Sequence, residues 1–427
     1  MEKQTIVSKL TGDSYFKIKH PSGLDILVCE MPGFSSTEAL FGTKYGSITT
    51  MFKTKADKDY TVVPEGIAHF LEHKLFENED SDVFELYAKT GASANAFTSF
   101  DKTCYLFGCS QNWQESLRIL LSFVQSPYFT KESVDKEQGI IGQEINMCND
   151  DPSWRVLFNM LRSMYKNHPV RIDIAGTIES IAQIDADLLY KCYNTFYNLH
   201  NMVLVIAGNV NTDEVLKIAD EELKPCENIE LETVFPEEPY EVAVKEIREN
   251  RPVGVPMFNI GIKCKALDGY ASVKAEMECD TVMNILCDTS SPLYKEMMDE
   301  GLINSTFGTE VFCGDGFFSL IFSGESDKPE EVMHRIFKEI EKAKADGLDK
   351  EHFEVIKKSN YGKAIKRWNG PNYVANALIN SYFSGVSGFD SFEILSEMKY
   401  EDVQRCLCEM FDTENYVLSI IESGENG

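Results

Sequence analysis

The 427-residue sequence has 12 cysteines but no C-x-x-C pair, and Cys406 and Cys408 are the only two that lie close together. Single thiols scattered along so long a chain are not the dense framework of a small secreted scaffold, and they lack zinc-finger and dithiol spacings. They are expected to be reduced and to serve mostly as small core hydrophobes. No apolar run approaches the ~20 residues of a membrane span. No signal-peptide core follows the opening Met1-Glu2-Lys3-Gln4-Thr5. These absences lead to the expectation of a cytoplasmic protein with no membrane partner. Positive charge is also short, with 41 Lys and Arg against 69 Asp and Glu and a net charge of −28. Phosphate backbones need a basic face, so nucleic acid is excluded as a partner. A basic peptide would be attracted, although most of the charge is read as a solvated acidic surface. No low-complexity segment is present.

There are 7 histidines, and two of them stand four apart in His69-Phe70-Leu71-Glu72-His73. On a helix, positions i and i+4 share a face, so both imidazoles can reach one ion. The order His-x-x-Glu-His inverts the commoner zinc-protease order. Zn²⁺ held by such residues acidifies its water and polarises a carbonyl, and Glu72 is the natural base for that water. The flanks support a helix: Pro64 suits a first turn and Glu65 complements the dipole. At about 100° per residue, Ile67, Leu71 and Leu75 form an apolar stripe opposite His69, Glu72, His73 and Phe76.

Catalytic zinc normally takes three protein ligands. Glu137 and Glu144 lie two turns apart in a long helical pattern over 131–149, so they project from nearly the same face. One can ligate the ion while the other supports a histidine. Helix geometry alone leaves the order open.

The chain reads as a duplication. The run Phe196-Tyr197-Asn198 into Val203-Leu204-Val205-Ile206 is echoed by Phe411-Asp412-Thr413 into Val417-Leu418-Ser419-Ile420. Lys131-Glu132-Ser133 is echoed by Lys350-Glu351-His352 half a chain length later. Self-similarity at half length indicates two homologous domains. A proline- and glutamate-rich stretch over 224–252 reads as a linker between domains at 1–223 and 253–427. Strand-like segments at 16–29, 94–109 and 202–207 have counterparts at 257–265, 305–323 and 416–421. Helical patterns lie between them at 114–124, 131–149, 272–286 and 330–345. The expected class is α+β, each half of roughly 210 residues being a mainly antiparallel sheet with helices on one face.

His69-x-x-Glu72-His73, a glutamate about seventy residues on and the duplicated α+β halves resemble the pitrilysin/insulinase superfamily of inverted-motif zinc metallopeptidases. The resemblance spans essentially the whole chain and is strongest to the short bacterial branch that includes the YmfH-type subfamily. It implies one Zn²⁺ per chain, with His69, His73 and Glu144 as ligands, Glu72 as general base and Glu137 as auxiliary catalytic acid. It implies two halves facing each other across a cavity. The run Gly91-Ala92-Ser93-Ala94-Asn95-Ala96-Phe97-Thr98-Ser99 resembles the family's edge strand, which a peptide substrate joins as an added strand. Asn95 and Ala96 are the implied substrate-binding residues.

The second half departs from that pattern. The family places an arginine and a tyrosine there, but the matching stretch has Met298 and Asn304, and Lys363 stands where a second Glu144 would be. Methionine cannot donate a hydrogen bond to an oxyanion. Arg367 and Tyr373 are substitute donors within the chain. His20, His168, His200, His334 and His352 have no metal spacing. Two functions are therefore weighed. One is a zinc endopeptidase cleaving peptides or small unfolded proteins, the metal-bearing subunit of a heterodimer whose homologous partner supplies the arginine–tyrosine pair. The other is a zinc-binding, non-hydrolytic scaffold or substrate-presenting subunit.

Overall fold

The computed structural model describes residues 2–77 and 83–424. The chain forms two compact units, each drawn from three stretches of sequence. The first comprises Met1–Ile145, Asp173–Val234 and Ile365–Phe389, and the second Asn146–Ile172, Phe235–Ala364 and Asp390–Gly427. Unit one carries the strands β1 (Glu2–Val7), β2 (Ser14–Lys19), β3 (Asp25–Glu30), β4 (Thr37–Thr43), β5 (Met51–Thr54), β6 (Thr61–Val62), β7 (Ser93–Thr98), β8 (Thr103–Cys109), β9 (Met202–Gly208) and β10 (Leu231–Thr233). Its main sheet runs β1-β2-β3-β9-β4-β8-β7, and a small second sheet runs β10-β5-β6. Unit two has β11 (Glu246–Asn250), β12 (Met257–Lys263), β13 (Gly308–Gly314), β14 (Phe317–Glu325) and β15 (Tyr416–Glu422), in the order β11-β15-β12-β14-β13.

The duplication read from the sequence is present in the topology. The parallel pair β11–β15 repeats β3–β9, and the antiparallel run β15-β12-β14-β13 repeats β9-β4-β8-β7. The stretch 224–252 is not bare linker, because it supplies β10 to unit one and β11 to unit two.

Each unit is α+β with a mainly antiparallel sheet, as expected, and helices cover the second sheet face as well as the first. In unit one Ala39, Phe41, Leu204 and Ile206 enter the main core. Their alternates Leu40, Val203 and Val205 are equally buried on the other face. There the helix Pro371–Phe383 packs on β4 and β9, and a Cβ on Gly42 would meet Ile379 at 2.8 Å. Strands apolar on both faces must be covered on both. Unit two repeats the device. A helix at Pro152–Met164, just after the candidate ligands, lies on β12 and β15. Ser419 Oγ donates to the Val156 carbonyl at 2.9 Å, and a Cβ on Gly261 would meet Met160 at 2.6 Å.

The remaining helices of the site are α1 (Ile67–Leu75), α2 (Val83–Thr90), α3 (Trp113–Val124) and α4 (Lys131–Asp150). Most of the 12 cysteines are buried. Among the described residues no helix is long and apolar enough to cross a membrane.

α4 passes from unit one to unit two after Ile145, and the helix Lys350–Arg367 passes back after Ala364. Each carries a glycine, Gly139 or Gly362, at which a Cβ would meet nothing within 4 Å. Neither has a packing reason to be glycine. Gly139→Ala and Gly362→Ala should therefore each raise the unfolding free energy by about 0.5–1 kcal/mol. Urea denaturation measures this, and a lower midpoint would show that these helices depend on the freedom of glycine.

Candidate metal centre

α1 starts later than its sequence suggests. Pro64 and Glu65 precede it, and its N-cap is Gly66 at φ +86°. A Cβ there would stand 2.3 Å from the Ala175 carbonyl oxygen, and one on Gly176, at φ +75°, would stand 2.5 Å from the Glu65 carbonyl oxygen. Two glycines thus let two chain segments cross with nothing between them. Ser180 Oγ secures the crossing by donating to the Glu65 carbonyl at 2.9 Å. The left-handed turn at Gly66 is why the helix cannot include Pro64 and Glu65. Nor is α1 amphipathic: Ile67, Leu71 and Leu75 are buried, and so are Ala68, His69, Phe70, Glu72 and Lys74, with only His73 partly exposed.

α4 buries Val134, Glu137, Ile141 and Ile145 on one face. Gln138 Nε2 ties it to the carbonyls of Ile181 and Ile184 at 3.2 and 3.0 Å. Glu77, just past α1, pairs with Lys74 and accepts from Lys136 Nζ of α4 at 3.1 Å.

These contacts bring five of the expected residues together. His69 Nε2 lies 3.6 Å from Glu144 Oε1, and His73 Nε2 lies 3.5 Å from Glu144 Oε2. The two rings meet edge to face with centroids 4.6 Å apart. One donor atom from each of the three falls within 4.8 Å of the others, the only such group among the described residues. Two donors held tetrahedrally at about 2.0–2.2 Å from one ion lie about 3.3–3.6 Å apart, so two imidazoles and a carboxylate at this spacing fit a metal ion. Glu137 Oε1 is 3.0 Å from His73 Nδ1. With the Nδ1 proton directed to Glu137, His73 Nε2 is left as the ligand atom. His69 Nδ1 is buried and has no partner among the described residues.

Glu72, nearly buried, accepts a hydrogen bond from Thr98 Oγ1 at 2.8 Å. Burial raises its carboxyl above the ordinary value, against the Thr98 hydrogen bond and His73, which lower it. Burial, with His73 alongside, pushes His69 down to about 3 and keeps it neutral. For His73 burial acts downward too, but the Glu137 hydrogen bond and the carboxylates of Glu72 and Glu144 outweigh it and raise the imidazole. The electronegative side of the site is thus gathered around His73, where a cation is favoured.

Asn95 and Ala96 lie on β7, the free edge of the main sheet, against which α1 packs. Asn95 is exposed, and its Oδ1 accepts from the Ala96 N–H at 2.9 Å. Sequence reasoning did not single out Thr98, Glu77, Lys136 or the Gly66–Gly176 crossing. Thr98 alone had a signal, two positions after Ala96 in the edge-strand run. In unit two, Met298 is half-buried near the end of the helix Pro292–Asp299. Asn304 Nδ2 donates to Glu325 Oε2 at 2.8 Å while its Oδ1 accepts from Thr306. Arg367 is exposed, as is Tyr373 at 60%.

Gly66→Ala should destabilise the protein by at least about 1–2 kcal/mol for the left-handed conformation alone, with the Ala175 contact added. Thermal unfolding tests this. An unchanged melting temperature would mean that the crossing does not hold the start of α1.

Residues 60–178 match the family described as insulinase, peptidase family M16, and residues 183–360 match the peptidase M16 inactive domain. The chain is 40% identical over 410 residues to an uncharacterized zinc protease of Bacillus subtilis named YmfH, covering 93% of this chain and 94% of that one. An M16-like peptidase from Alicyclobacillus acidocaldarius superposes with a TM-score of 0.93 at 32% identity over 99% of both chains. Pitrilysin shares the fold at a TM-score of 0.76 and 17% identity, over 98% of this chain and 46% of its own. The chain belongs to the M16 family of insulinase-type peptidases and is YmfH-like.

Proposed function

We propose that the protein is a zinc-dependent endopeptidase acting on peptides or small unfolded proteins. The observation that carries the reading is the meeting of His69, His73 and Glu144 beside the buried carboxylate of Glu72. It is supported by the relatives' description as zinc proteases. A zinc ion held by the three would supply a Lewis acid for the peptide carbonyl and an acidified water. Glu72 then takes the water's proton and returns it to the leaving amine. Glu137 holds the Nδ1 proton of His73. A peptide lies along β7 as an added strand at Asn95 and Ala96. A closed chamber, which the family resemblance implies, limits the size of the substrate.

The same reading makes the protein dependent on a homologous subunit. Met298 offers no donor and Asn304 directs an amide N–H to Glu325, so the oxyanion stabilisation that the family's arginine–tyrosine pair gives has to come from elsewhere. A partner carrying the arginine–tyrosine pair supplies it. A homodimer would not, because both copies lack the pair. The match of 183–360 to the M16 inactive domain favours the second reading, a zinc-binding scaffold or presenting subunit.

Hydrolysis of a mixed peptide library separates the two. Zinc-loaded protein with a homologous subunit should turn over peptides, and Glu72→Gln should lower kcat by about 10²-fold or more at unchanged zinc content. The chain alone should be weak, since losing one oxyanion donor costs about 10²–10³ in rate. No hydrolysis in either setting would support the scaffold. Vigorous hydrolysis by the lone chain would remove the need for a partner. Elemental analysis should find zinc lost in Glu144→Gln, but retained with affinity weakened about 10- to 100-fold in Glu137→Gln.

A further inference from the structure

Thr98 touches the proposed base from an unusual place, the open edge of the sheet. β7 pairs with β8 on one side only. Their hairpin closes with the Ser99 N–H donating to the Lys102 carbonyl at 2.8 Å. Bonded and non-bonded pairs alternate along an antiparallel ladder. Counting back from Ser99, Thr98↔Thr103 is non-bonded, Phe97↔Cys104 bonded and Ala96↔Tyr105 non-bonded. The main-chain groups of Ala96 and Thr98 therefore face the open edge. At Ala96 the outward N–H is covered by the Asn95 side chain. At Thr98 the outward position is taken by the Glu72 carboxylate, which receives the hydroxyl at 2.8 Å on Oε2.

The hydroxyl proton has one good destination. Thr103 Oγ1 lies 3.3 Å away and, because it donates its own proton to the Tyr45 carbonyl at 2.9 Å, is the alternative acceptor. The charged carboxylate is the nearer and stronger acceptor. Thr98 is β-branched and sits on a strand, so its χ1 is stiff. The hydroxyl bond lands on Oε2, and Oε1 takes no part in it.

We propose that Thr98 is the positioning residue for Glu72, its hydroxyl fixing Oε2 so that Oε1 is left as the proton-accepting atom. The contact also ends the usable edge. An added peptide strand can pair at the Ala96 carbonyl, but at Thr98 it meets Glu72, so strand pairing and the base share one register. This rests on the endopeptidase reading.

Thr98→Val removes the hydroxyl at nearly constant shape, and Thr98→Ser restores it. In zinc-loaded protein assayed with its homologous subunit on a mixed peptide library, the valine variant should lose about 10- to 100-fold in kcat, with KM changed less than about twofold. The serine variant should recover most of the rate. Crystal structures of both variants supply a readout independent of turnover, with the Glu72 carboxylate turned in valine and wild-type-like in serine. An unmoved carboxylate in Thr98→Val overturns the proposal whatever the rates. A loss carried in KM alone, or an unchanged kcat, also overturns it. A turned carboxylate in protein that hydrolyses nothing upholds the positioning and defeats the peptidase reading instead.

Discussion

Two imidazoles one helical turn apart serve a single ion only while a third donor from another helix stays within a fraction of an ångström of its place. The candidate for that donor is Glu144, 3.5–3.6 Å from both Nε2 atoms. The spacing between α1 and α4 is the constraint on which the site depends. It is held at one end by the Gly66–Gly176 crossing, and at the other by Glu77 bridging Lys74 and Lys136. Between them Glu137 reaches across to His73. Exposed pairs such as Lys136–Glu77 contribute little individually. The buried hydrophobic face of α4 and the backbone crossing therefore carry most of the positioning.

Much of this was legible in the sequence because it is local. The i, i+4 histidines, the seven-residue spacing of Glu137 and Glu144 and the strand-like runs that became β7, β8 and β9 are all features of short stretches of sequence. Helix geometry left the order of the two glutamates open, and the resemblance to the peptidase family supplied it. The structure puts Glu144 at the histidine Nε2 atoms and Glu137 at Nδ1. The contacts that no period encodes were not legible. Gly66 is left-handed because Ala175 passes beside it, and Ala175 is distant in sequence. The same holds for Pro371–Phe383, whose burial on β4 and β9 places a late segment in the first unit.

Duplication and asymmetry coexist in the chain. The two sheets share a five-strand order, and each is covered on its far face by a helix from the other half of the sequence. Such an exchange makes the two halves structurally interdependent. The site chemistry, by contrast, was not duplicated. Unit one has two histidines and two glutamates in register, whereas unit two has Met298 and Asn304 at the positions discussed above. The fold is thus twofold while the candidate metal-binding groups belong to one half.

The proposed chemistry depends on one ion between α1 and α4. Crystals grown with zinc and measured on both sides of the zinc absorption edge test it most directly. The predicted result is a single anomalous peak per chain about 2.0–2.2 Å from His69 Nε2, His73 Nε2 and a Glu144 carboxylate oxygen. A peak held by Glu137 in place of Glu144, or no peak at His69 and His73, would contradict it.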